Sequence, residues 1–286
     1  METRVSSAAK EVRIGNGQPT VLIGERINPT GKKELTRALQ SGNMELVQEE
    51  AVAQVQAGAD ILDINVGVAG LDEVVLLLRA VQAVTDVVDV PLCFDSTNLR
   101  ALEVALKVYH GKALINSVSG EQRLMDRFLP LVKEYGAAVI GRTMDEEGVP
   151  NNADRRLIIA HRITERAEAM GIPRENVIID CLALTVGDNA NAGLVAIEAI
   201  RKVKAELGMN MTLGASNVSF SLPDRNLLSN AFLAIAIAAG VTCPIVDVVR
   251  ARPTILATDL ILGRDQYAMH YIKAFRQRRK ALKVTS

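Results

Sequence analysis

The chain has 286 residues, 49% of them apolar, and carries 33 basic side chains against 33 acidic ones for a formal charge of zero. Balanced charge excludes a global attraction to nucleic acid or to an anionic membrane, and 3% aromatic residues with no Trp exclude a stacking platform for bases. Apolar residues spread from end to end exclude extended disorder, and the length suits one large α/β domain or two ordinary ones.

Residues 1–20 read as an N-terminal extension with no signal-peptide core. Strand-like runs follow at 21–25 (VLIGE), 60–66 (DILDINV), 90–95 (VPLCFD), 112–116 (KALIN), 137–141 (AAVIG), 176–180 (NVIID), 211–215 (MTLGA) and 244–249 (PIVDVV). Most are continuous apolar runs, the pattern of strands covered on both faces. Between them lie stripes of helical spacing: Met44, Val47, Ala51 and Val55; Leu71, Val74, Val75, Leu78 and Val81; Leu124, Phe128, Leu131 and Tyr135; Ile197, Ile200, Val203 and Leu207. Gly58, Gly136, Gly171 and Gly240 each stand between such a stretch and a strand, as left-handed helix caps do. Eight strands alternating with helices, at about 30 residues per unit, predict an α/β fold of (β/α)8 TIM-barrel type in a single domain over 21–265. An open doubly wound sheet is the competitor, but no Pro-, Gly- or Ser-rich linker divides the chain. Residues 266–286 read as a C-terminal helix and basic tail, with Arg276, Arg278, Arg279 and Lys280 on a solvated face.

Cys93, Cys181 and Cys243 are widely spaced, with no CxxC and no His partner, which argues against a zinc site or a disulfide framework and for a reducing, cytoplasmic setting. No apolar stretch reaches the ~18 residues of a membrane span. AFLAIAIAAG comes nearest and reads as a buried helix.

Barrel chemistry gathers where strands run into their following loops, so the residues that end each run carry the functional signal. The runs end in Glu25, Arg26 and Asn28; in Asp63 and Asn65; in Asp95, Ser96 and Asn98; in Asn116 and Ser117; in Asp180; and in Ser216 and Asn217, while Asp247 stands within the last run. His110, His161 and His270 all fall in helical segments, and no strand ends in Lys, so nucleophilic triads and Schiff-base chemistry lack a candidate. Two chemistries suit the carboxylates and carboxamides. Asp63, Asp95 and Asp180 have the oxygen donors that hold a hard cation. Equally, a carboxylate accepts two parallel hydrogen bonds from an aminopyrimidinone edge while Asn reads a mixed edge. The plain alternative for any one of them is a helix N-cap, the favoured reading for Ser96 and Ser117. GVAGLDE lacks the full GxGxxG fingerprint, which leaves dinucleotide binding weakly supported.

The ordered motifs LIGERIN, LDINVG, FDSTN, INSVSG, IGRTMDEEG, VIID and LGASNVSFSLPDR resemble those of the pterin-binding methyltransferases that act on methyltetrahydrofolate and a corrinoid protein. The resemblance runs from about Val21 to the eighth strand and implies a TIM barrel. It implies that Asp95, Asn116 and Asp180 hold the pterin edge and that Asn217 sits near N5, the atom bearing the transferred methyl, as the catalytic group. Asp63, Asn65, Ser219 and Arg225 would shape the site or contact folate, and Met144 would pack on the ring. It further implies tetrahydrofolate or 5-methyltetrahydrofolate as substrate, a corrinoid (cobalamin) carried by a partner protein that docks transiently at the barrel mouth, a homodimer, and no bound metal, nucleic acid or membrane. The nearest rival is dihydropteroate synthase, which shares the barrel. That family has a lysine in its seventh-strand motif and an Arg–His pair at the eighth, where this chain has Asn217 and Arg250-Ala251-Arg252-Pro253. A folate-binding module without turnover is the other alternative.

Overall fold

The computed structural model describes residues 1–284. It opens with an element absent from the sequence reading. Strands β1 (Glu2–Ser6) and β2 (Glu11–Gly15) form an antiparallel hairpin, with Glu2 opposite Gly15 and Ser6 opposite Glu11.

The remaining strands, β3 (Ile23–Ile27), β4 (Ile61–Ile64), β5 (Leu92–Asp95), β6 (Leu114–Ser119), β7 (Ala138–Arg142), β8 (Val177–Asp180), β9 (Asn210–Thr212) and β10 (Ile245–Val246), form one parallel sheet in the order β10-β3-β4-β5-β6-β7-β8-β9. The seam between its outer strands is closed by a parallel bridge from Gly214 to Ile245, with the Ile245 amide donating to the Leu213 carbonyl at 3.0 Å. This is the expected TIM barrel, in a single domain.

The helices are α1 (Lys33–Ser41), α2 (Glu45–Ala57), α3 (Glu73–Thr85), α4 (Leu99–Val108), α5 (Gln122–Glu134), α6 (Ala153–Ala169), α7 (Ala192–Leu207), α8 (Arg225–Ala239), α9 (Val248–Ile261) and α10 (Met269–Val284). Their ends follow local chemistry. Gly58 closes α2 at φ 103°, a backbone conformation that a Cβ disfavours. Asn98 accepts from the amides of Arg100 and Ala101 to cap α4, so its place after a strand has a purely local cause.

The structure corrects several expectations. The last predicted strand shrinks to Ile245–Val246, because Asp247 stands at the N-cap position of α9. Asn116 and Ser117 lie inside β6, which continues to Ser119. His110 lies just past the end of α4, outside any helix. Helix α3 buries Leu76, Leu77, Ala80, Val81 and Val84 while Val75 is 48% exposed, and α5 buries Met125, Phe128, Leu129 and Val132. In both helices apolar residues cover more than one stripe, and only the neighbouring elements select which stripe turns inward. Arg276, Arg278 and Arg279 are exposed; the Lys280 side chain and residues 285–286 lie outside the described residues. Among the described residues, no helix is long and apolar enough to cross a membrane.

Two cores result. The larger fills the layer between sheet and helices. The smaller lies inside the barrel, where Ile23, Ile61, Cys93, Leu114, Ile140 and Ile178 pack with Val5, Val12 and Ile14 of the hairpin. The hairpin is also hydrogen-bonded to the barrel base. Asn210 Nδ2 donates to Thr3 Oγ1 and to the Ile14 carbonyl, both at 2.9 Å, and Tyr109 OH donates to the Ser6 carbonyl at 2.9 Å.

Candidate active site

Successive side chains of a strand point to opposite faces, so residues two apart share one face. Counting two onward from the inner-core residues leads from Ile23 to Glu25, from Ile61 to Asp63, from Cys93 to Asp95, from Leu114 to Asn116, from Ile140 to Arg142 and from Ile178 to Asp180. The upper interior of the barrel is therefore a ring of carboxylates, a carboxamide and one guanidinium.

The ring's hydrogen bonds run across strands. Asn116 Nδ2 on β6 donates to Asp63 Oδ1 on β4 at 3.1 Å, reaching over the intervening β5. Asn65 Nδ2 donates to Asp95 Oδ2 at 2.9 Å, while Asn65 Oδ1 accepts from the Gly67 amide. In the parallel register Asp95 pairs with Asn116 and Arg142 with Asp180. Arg142 Nε is buried without a hydrogen-bond partner among the described residues. Asp180 accepts from the Leu182 amide at 2.7 Å.

Burial shapes the electrostatics. It pushes the Asp63 carboxyl up, aided by the neighbouring Asp95 charge, and pushes Asp95 up as well. The same cause raises Asp180 to about 6, against the pull of its backbone hydrogen bond and of Arg142. Glu25 rises to about 7, first through burial and then through repulsion by Asp247. The ring holds more negative charge than its donors satisfy, and a ligand bringing N–H groups would satisfy it. A cation reading of Asp63, Asp95 and Asp180 finds no matching cluster, because among the described residues no three His, Cys, Asp or Glu side chains are placed to share a metal ion.

The remaining candidates lie beyond the strands, in the connecting segments and, for Arg225, at the start of α8. Asn217 lies in a 3₁₀ turn, Ala215–Ser219, that follows β9; it is exposed. Its carboxamide makes no hydrogen bond among the described residues, and the Val218 carbonyl of the same turn accepts from the Val186 amide in the loop after β8. Ser219 is buried and turned inward to this loop, donating to the Ser216 carbonyl at 3.1 Å and lying 2.8 Å from Ser229 Oγ. Arg225 donates to the Ser216 carbonyl at 3.0 Å and stacks over Phe220. Met144 is half-buried in the loop after β7, and its carbonyl accepts from the Gly120 amide. Asp63, Asn65, Asp95 and Asn116 thus come together directly, Asp180 joins them through Arg142, and Asn217, Ser219 and Arg225 form a separate rim cluster. Ser96 donates to Glu73 at 2.6 Å and accepts from the Asn98 amide, a local role.

Sequence reasoning passed over two features. Arg142 is the ring's cation, and its place two residues after Ile140 was the available signal. The other is a cavity of about 320 Å³ beside the ring, lined by Glu25, Lys32, Ser216, Arg225, Asp247 and Arg250. No periodicity marks it, because its walls come from strand, loop and helix segments far apart in the chain.

A family model described as pterin binding enzyme matches residues 24–247. The methylcorrinoid:tetrahydrofolate methyltransferase of Eubacterium limosum is 30% identical over 272 residues, covering 90% of this chain and 96% of that protein. The methionine synthase of Mycobacterium leprae is 29% identical over 265 residues, which is 88% of this chain but 22% of that longer protein. Among solved structures, Yersinia pestis dihydropteroate synthase with a pterine–sulfa conjugate superposes with a TM-score of 0.70 at 17% identity, covering 91% of this chain and 99% of that one. The Thermus thermophilus dihydropteroate synthase gives 0.66 at 23% identity, covering 88% and 97%. At such identities these structures speak for the fold alone. The chain belongs to the pterin-binding enzyme family.

Proposed function

We propose that this member of the pterin-binding enzyme family moves a methyl group between N5 of tetrahydrofolate and the cobalt of a corrinoid held by a partner protein. The observation that carries the reading is the exposed, unbonded carboxamide of Asn217 standing at the rim above a buried Asp/Asn ring. The resemblance to the Eubacterium limosum methyltransferase, over nearly the full length of both proteins, supports it.

In this reading Asp95, Asn116 and Asp180 hold the pyrimidine edge of the pterin, with Asp63 and Asn65 fixing Asn116 and Asp95 in turn. The docked corrinoid supplies a cobalt nucleophile. The bond between N5 and the methyl carbon breaks, a bond between cobalt and carbon forms, and the electron pair stays on N5. A tertiary amine is a poor leaving group, so a proton or a strong hydrogen bond at N5 lowers the barrier. Asn217 serves by rotation, its NH₂ donating to neutral N5 or its carbonyl accepting from protonated N5. One oriented group of this kind is worth about 3 kcal/mol in a rate. The reverse transfer uses the same groups. Arg225, Ser219 and Met144 shape the rim, the partner docks transiently over the mouth, and the barrel unit spans 21–265. A homodimer in the cytoplasm completes the reading.

The test is a spectral assay of cob(I)alamin against methylcobalamin, run with methyltetrahydrofolate and then with tetrahydrofolate. Asn217→Ala should keep methyltetrahydrofolate affinity within about tenfold while methyl transfer falls at least a hundredfold. Equal loss of binding and transfer would remove Asn217 from the chemistry.

A further inference from the structure

Below the mouth one cation is withdrawn from water altogether. Arg156, on α6, has no exposed surface. Charged side chains are seldom fully buried unless paired, yet its hydrogen-bond partners are all carbonyls. Nη1 donates to Cys181 O at 2.6 Å and to Leu182 O at 2.7 Å, and Nε donates to Pro150 O at 2.8 Å. Pro150 belongs to the loop between β7 and α6, while Cys181 and Leu182 directly follow Asp180 at the end of β8. One guanidinium therefore ties together two loops of the mouth. Its planar fork suits carbonyls at divergent angles, which a single ammonium would not span.

The turn it grips is unfavourable on its own. Leu182 has φ 56°, in the left-handed region that a side chain with a Cβ avoids. Such a residue persists only where its surroundings over-determine it. Here the Leu182 carbonyl is held by Arg156, and the Leu182 amide donates to Asp180 Oδ1. That leaves Asp180 Oδ2 accepting no hydrogen bond from the described residues.

We propose that Arg156 is a positioning residue, locking the turn after β8 so that Asp180 keeps one oxygen on the Leu182 amide and presents the other to the ligand. The consequence for folate rests on Asp180 being a pterin anchor; the consequence for the turn does not. Two measurements on Arg156→Lys and Arg156→Gln separate these. Hydrogen exchange of the Leu182 amide in the free protein should speed up at least tenfold, with exchange in α4 unchanged. Affinity for methyltetrahydrofolate should fall at least tenfold in the otherwise native chain and less than twofold when Asp180→Ala is already present. Unchanged exchange at Leu182 overturns the proposal, as does the same affinity loss in both backgrounds. Should Asp180→Ala alone bind methyltetrahydrofolate normally, Asp180 is no anchor and the ligand half of the proposal falls, while Leu182 exchange still decides the turn. Loss of the folded barrel in both variants would make Arg156 a determinant of the fold, which also overturns it.

Discussion

At the lower end of the barrel interior, Ile23, Ile61, Cys93 and Ile178 face one another, and Val5 and Ile14 of the hairpin fill the opening. Two residues further along the same strands, Glu25, Asp63, Asp95 and Asp180 hold the equivalent inward positions. Backbone geometry is common to both levels, so the contrast comes from side chains alone. The lower level removes apolar surface from water and contributes stability. The upper level buries carboxylates beyond what its amides satisfy, which costs stability and leaves acceptors waiting for donors. A barrel of this kind keeps its cohesion at one end and its chemistry at the other.

Placing the chemistry of the upper end into the lower end should have the largest effect. Ile14→Asp puts an unpaired charge among Val5, Ile61 and Ile178, and should cost more than about 4 kcal/mol in urea denaturation. The surviving folded protein should bind methyltetrahydrofolate as before. A small stability loss would show that the hairpin is dispensable packing.

The pH dependence comes next and belongs to the upper end. Asp180 and Glu25 have folded-state pKa values raised to about 6 and about 7 from ordinary values of 3.8 and 4.5. For an acid so raised, the associated stability is fully present below about pH 4 and is lost as pH rises through 6 and 7. Each group accounts for at most about 3 kcal/mol. Melting temperature should therefore fall from pH 5 to pH 8 in the free protein, and saturating methyltetrahydrofolate should flatten the slope. A melting temperature rising over that range would contradict the buried, under-satisfied ring.

Substitutions within the ring should separate binding from folding. Asp95→Ala removes the acceptor of Asn65 Nδ2 and should weaken methyltetrahydrofolate binding by about 1–3 kcal/mol in calorimetric titration. Unchanged affinity would take Asp95 out of the site. The smallest effect is on folding: Asp95→Asn removes a buried charge and should leave stability within about 1 kcal/mol of the native chain or raise it.

Much of this was legible before the fold was known. Apolar runs alternating with helical stripes pointed to the barrel, and the carboxylates ending those runs pointed to its mouth. Asp63, Asn65, Asp95 and Asn116 emerged together because each ends an apolar run, and in a barrel the ends of the parallel strands share one rim. Arg142 escaped because attention to acids and amides passed over the cation in the same position. Ser96 read as a helix cap, but Asn98 caps α4 while Ser96 links the Asn98 amide to Glu73 of α3, since a polar residue after a strand serves either purpose until its neighbours are known. The hairpin escaped for a different reason. Its inward residues, Val5, Val12 and Ile14, are too few to read as a core without the barrel end that they close.

The alternation of barrel strands and helices and the residue types at the mouth were set by the chain's local pattern, because a strand's run and a helix's turn are short-range geometry, whereas strands apolar on both faces leave their inward side to the tertiary packing. Tertiary structure alone decided which amide meets which carboxylate, which stripe of α3 and α5 turns inward, and that Arg156 on α6 reaches the turn beside Asp180. Those choices depend on distances between segments far apart in the chain, and no local spacing encodes them.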